Sequence, residues 1–118
     1  MKNTTPMFPK TNITSFYKRL ERASCESPDF DTFIRTVTRL FSEEYSCTAF
    51  FCEIFGKRWS YLTGTGNLPV GAARRETFKA VSRQFGILVF PDPGDLFQWE
   101  STKPVLIHSF TLFLDQQK

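Results

Sequence analysis

Two short arms rich in Phe, Trp, Tyr and Thr flank one strong turn signal, Gly56-Lys57, in the stretch Cys47 to Gly66, CTAFFCEIFGKRWSYLTGTG. Aromatic and β-branched residues suit a pleated surface, and Gly marks the tight reversal between them. The pattern predicts a β-hairpin with arms over 47–55 and 58–64. Side chains alternate across a strand, so Ala49, Phe51 and Phe55 share one face, Phe50, Cys52 and Ile54 the other, and Trp59 and Tyr61 share a face of the second arm. A strand that is apolar on both faces belongs inside a sheet. Either both faces are covered by the chain, or helices cover one and a ligand or partner the other.

Helices are expected before the hairpin. Ile13, Phe16, Tyr17, Leu20 and Ala23 fall on one stripe, with Thr11, Asn12 or Thr14 as cap. Phe30, Phe33, Ile34, Val37, Leu40, Phe41 and Tyr45 repeat at i, i+3, i+4 and i+7, with Ser27 as cap and Pro28 as the first helical residue. After the hairpin, Gly64 to Pro69 reads as a loop and Val70 to Gln84 as a third helix with a thin stripe of Phe78, Val81 and Phe85. Gly86 ends that helix, Ile87 to Phe90 is a strand, and Pro91-Asp-Pro-Gly-Asp95 is a turn. Leu96 to Ser101 reads as a short strand or loop. Val105 to Leu114 reads as a final strand with a bulge near His108, where its alternation changes phase.

A chain of 118 residues suits one α+β domain, taken as residues 11–118 after a flexible lead-in over 1–10. Its 41% hydrophobic and 23% charged residues are ordinary for a globular protein, while 14 Phe point to a core of large flat side chains. The net charge of +3 is regional: Lys57, Arg58, Arg74, Arg75, Lys79 and Arg83 face only Glu76 within residues 57–83. Three cysteines at unremarkable spacing and a polar N-terminus read as a reducing, cytoplasmic setting. No apolar run approaches the roughly 18 residues that span a membrane.

Catalytic and metal chemistry find little support. Cys47 and Cys52 lie on opposite faces of one strand, far in sequence from the only histidine, which argues against a zinc site. A Cys-His pair with His108 requires neighbouring strands, and a Cys in an aromatic strand is ordinarily a small hydrophobe. Glu53 in an apolar strand is expected to face Lys57 or Arg58 across the hairpin, or solvent. Gly64-Thr65-Gly66 lacks the endings of a Walker loop or a dinucleotide fingerprint. It does precede Arg74 and Arg75, whose placement in the first turns of the expected helix makes a corner for a small anion. Trp59 and Tyr61 interleaved with Lys57 and Arg58 offer rings on which bases stack, although the glycine and aromatic spacing of an RNA-recognition motif is absent.

The segments DFDTFIRTVTRLF, SCTAFFCEIFGKRWSYLTGTG and VSRQFGILVFPDPGD together resemble the first two thirds of a GAF domain, over about residues 28–95. A profilin-like or roadblock-like module accommodates the shorter length nearly as well. The resemblance implies an α+β sensory or interaction module with an antiparallel or mixed sheet of four to five strands and two to three helices packed on it. The expected function is a non-catalytic regulatory one, by small-ligand sensing or by protein interaction and dimerisation through an aromatic sheet face. A nucleic-acid-binding module using residues 57–83 is the alternative, and a small cysteine-dependent enzyme the third reading. Arg58, Trp59, Tyr61, Arg74 and Arg75 are the candidate ligand or interaction residues, with no catalytic residue, metal ligand or cofactor assigned. A second copy or another protein is the expected partner, then a small anionic ligand, then nucleic acid.

Overall fold

A computed structural model describes residues 13–64 and 73–116, the side chains of Ile13 and Thr14 excepted. The expected lead-in over residues 1–10, the caps Thr11 and Asn12, and the loop beyond Gly64 lie outside what is described, and Thr14 falls inside the first helix. The elements run α1 (Ile13–Glu26), α2 (Phe30–Tyr45), β1 (Thr48–Phe55), β2 (Arg58–Gly64), β3 (Arg74–Ala80), β4 (Arg83–Phe90), a 3-10 turn (Gly94–Phe97) and α3 (Trp99–Gln116). The four strands form one antiparallel sheet in the order β2-β1-β4-β3. The fold is α+β, as expected.

The first helix pair and the first hairpin follow the sequence closely. The cap of α2 is Asp29, two residues beyond the expected Ser27, so that Pro28 precedes the helix: the Asp29 backbone is extended and its side chain accepts from the Thr32 N–H at 2.8 Å. This hydrogen bond lowers the Asp29 carboxyl below its ordinary value. At the other end Ser46, at φ 50°, donates its N–H to Ser42 and turns the chain into β1.

Two later expectations are overturned. Residues 74–84 belong to a second hairpin, β3 to β4, in place of a third helix, and Gly86 lies inside β4. Phe78 and Ala80 are buried while Arg75, Thr77 and Lys79 are exposed, which is a period of two. The last expected strand, Val105 to Leu114, is part of α3, and the residues before it form the 3-10 turn and the helix start. Thr102, Leu106, Ser109, Phe110 and Phe113 are the buried stripe of α3. The apparent change of phase is a helical repeat, and His108 is an exposed helix residue with no bulge around it.

All three helices stand on one side of the sheet. α2 lies against β1 and β2, α3 lies against β3, and α1 packs on both helices. Between them Phe110 meets Phe33, Phe51, Phe78 and Phe85 with ring centroids 5.0, 6.0, 4.9 and 4.8 Å away. Such aromatic pairs add about 0.5–1.5 kcal/mol each beyond the area they bury. Among the described residues no helix is long and apolar enough to cross a membrane.

Candidate functional site

The helix-free face of the sheet follows from strand parity. Ala49 and Phe51 of β1, Phe78 and Ala80 of β3, and Phe85, Ile87 and Val89 of β4 enter the core under the helices. Their neighbours in sequence must then point the other way. On that free face the register builds three rows from β2 to β3: Trp59, Ile54, Gln84 and Lys79; then Tyr61, Cys52, Gly86 and Thr77; then Gly64, Phe50, Leu88 and Arg75. A β-bulge between Phe51 and Cys52 in the β1–β2 pairing sets this arrangement. Leu62 is the extra residue and packs towards the core, so both Tyr61 and Gly64 reach the free face.

Trp59 does not stand upright on the sheet. A Cβ added at Gly86 would lie 2.4, 2.6 and 2.9 Å from its Cζ3, Cη2 and Cε3 atoms. Three ring atoms at nearly equal range mean that the six-membered ring lies against Gly86, two strands away from Trp59's own. The indole thus bridges β2 to β4 across β1, and the guanidinium of Arg75 on β3 reaches it at 5.7 Å from the ring centroid. On the same face Phe50, Cys52 and Ile54 are only 1%, 5% and 8% exposed although no described helix covers them. Tyr61, 6.2 Å from the Phe50 ring, remains 56% exposed.

The charges of this face have one sign. Arg75 and Lys79 are its charged residues, and no carboxylate shares it among the described residues. Burial pushes the Cys52 thiol up, with Arg75 opposing the shift. A raised thiol is a poorer nucleophile at neutral pH.

The other expected residues are distributed differently. Arg74 and Arg75 are consecutive on a strand, so they point to opposite faces. Arg74 turns to the helix side, where it pairs with Glu76 at 3.0 Å and Asp92 at 3.5 Å, donates to the Gly94 carbonyl and lies 4.9 Å from the Phe97 ring centroid. Arg58 lies at the hairpin end, 5.3 Å from the Phe55 ring. The anticipated corner of Arg74 and Arg75 is not formed, and Arg58 lies apart from both. Glu53 takes neither Lys57 nor Arg58: Arg83 holds it through two hydrogen bonds of 2.8 Å, with the guanidinium over the rings of Phe30 and Phe85.

His108 sits on α3, 3.5 Å from Glu21 of α1, in a groove of about 340 Å³ that also involves Tyr17, Lys18, Pro104 and Val105. The sheet separates it from Cys52, so the Cys52–His108 pair does not arise. Cys47 lies at the core edge with its thiol 3.8 Å from the Phe41 carbonyl, and burial raises it to about 11. A second groove, of about 460 Å³, runs between α2 and the β2 edge. Its arginines, Arg35 and Arg39, already pair with Asp31 and Glu43. No group of His, Cys, Asp and Glu among the described residues is placed to hold a metal.

Trp59, Tyr61 and Arg75 therefore come together as one surface, which Arg58 and Arg74 do not join. Gly86 and Lys79 were missed. A glycine inside a strand signals close approach by another group, and that signal was present in FGILVF. No family model matches the chain, and no curated protein matches it.

Proposed function

We propose that the chain is a non-catalytic regulatory module that works by binding, with the helix-free sheet face as its working surface. The observation that carries this reading is Trp59 laid flat on Gly86 and flanked by Arg75, on a face without carboxylates among the described residues. Aromatic rings and arginine are the side chains that dominate binding surfaces. The resemblance to a GAF domain supports the same reading, since it implies a sensory or interaction module that uses its sheet. A second copy is the less favoured partner for this face, because each copy brings the same cations to the contact. Three free thiols accord with the cytoplasmic setting proposed with it.

The surface is tested without knowing its occupant. Hydroxyl-radical footprinting of the protein in buffer and in a concentrated cell extract compares Tyr61 with Leu96, which is 72% exposed away from the sheet face. The expected result is that Tyr61 loses oxidation in the extract while Leu96 does not. Equal oxidation of Tyr61 in both conditions would overturn the proposal.

A further inference from the structure

We infer that the occupant of the free face is single-stranded nucleic acid, with one base on the outward side of the Trp59 indole, a second on Tyr61, and phosphates at Arg75 and Lys79. The inference rests on the proposed working surface and names what it binds. Its first support is geometric. With one side of the six-membered ring against Gly86, the opposite side is turned away from the sheet. Trp59 and Tyr61 are two residues apart on β2, about 7 Å along a strand, so each ring can take a separate base. Stacking of this kind tolerates any sequence because every base has a flat face.

Its second support is charge. Arg75 extends over the indole from β3, its guanidinium 5.7 Å from the ring centroid, and Lys79 stands on the same face at the row of Trp59 itself. A base stacked on Trp59 therefore brings its phosphate between two cations, with no carboxylate on the face among the described residues to repel it. An acidic protein segment would also meet the cations, but it has no use for an indole held flat. A duplex keeps its bases stacked on one another and cannot offer them to a sheet. A helix-backed four-stranded sheet with aromatics on its free side is a geometry on which single-stranded RNA is bound.

The test uses oligonucleotides of about 12 residues, polyuridylate and polythymidylate, titrated into the whole chain. Trp99 is buried and stacked on Phe97 at 5.6 Å, so quenching of tryptophan emission reports Trp59. The affinity is expected to fall about sevenfold between about 50 and about 200 mM salt, as two phosphate contacts on a single strand require. Trp59→Ala should weaken binding about tenfold. Should that variant fail to fold, Tyr61→Ser and Lys79→Glu carry the test from exposed positions, the second also flattening the salt dependence. Absence of salt-dependent quenching, or a mononucleotide binding as tightly as the strand, overturns the inference. Extract footprinting separates the two readings: Tyr61 protection that survives nuclease treatment rejects nucleic acid and leaves the working surface standing.

Discussion

Gly86 is the residue on which the free face depends, because it is the place where the sheet is low enough for an indole to cross it. A Cβ there would fall within 2.4 Å of Trp59, closer than two such carbons can come. Gly86→Ala is expected to lift the indole and destabilise the protein by about 1–3 kcal/mol, the range for overfilled packing. In a Trp59→Ala background the same change has room, and a strand prefers alanine to glycine. The cost should then vanish or reverse. Urea denaturation of the four proteins of this cycle measures the coupling, and an equal cost of Gly86→Ala in both backgrounds rejects the contact. Phe50 over Gly64 repeats the arrangement on β1 and β2, where an added Cβ would lie 2.1 Å from the ring. Glu53 is the opposite kind of residue. Its carboxylate points under the helices and is held there by Arg83, so it belongs to the scaffold and not to the binding face.

At the scale of the elements, the two hairpins differ in how they turn. The first turns at Gly56, whose φ of 68° costs a glycine nothing, and the second at Val81, a β-branched residue at φ 59°. Holding an ordinary side chain in the left-handed region costs about 1–2 kcal/mol. Asn accepts that region more readily, so Val81→Asn is expected to stabilise the protein by about 1 kcal/mol and raise its melting temperature by about 4 °C. A lower melting temperature in a thermal scan would contradict this account of the turn. The same difference explains which hairpin could be read from the sequence. Gly56-Lys57 announces a reversal, whereas Val81-Ser82 contains none of the usual turn residues, and Phe78, Val81 and Phe85 imitate a helical stripe. In α3 the error ran the other way, since Thr102 and Ser109 hold core positions and hide the helical repeat among Val105, Ile107 and Leu112. The pairing of Trp59 with Tyr61 was legible because parity within one strand needs no tertiary knowledge. Arg75 as their neighbour was not, because its face depended on the misread element.

The molecule as a whole divides its chemistry between two sides of one sheet. Arg75, Lys79 and the exposed Tyr61 ring stand on the free side, while the helix side is closed by aromatic packing. The corner joining α2 to β1 is where this closure meets ionisable groups. Tyr45 packs on Phe16 and Phe97 with centroids 5.8 and 5.1 Å away and donates its hydroxyl to the Phe97 carbonyl at 2.9 Å, so it joins α1, α2 and the 3-10 turn. Burial raises Tyr45 to about 12, and it raises Cys47 to about 11 beside it. Both folded values exceed the unfolded ones, which lie near 10 and 8.5–9. The neutral forms are thus favoured by the fold, and their contribution is whole below about pH 9. It is lost as pH rises, first through Cys47 towards 11 and then through Tyr45 towards 12. Urea midpoints measured from neutral to strongly alkaline pH should therefore fall above about pH 9, and fall less steeply in Cys47→Ala. The difference between the two curves isolates the thiol from the other groups that titrate there. Parallel curves would mean that the Cys47 thiolate is solvated in the folded protein and that the corner is open to water.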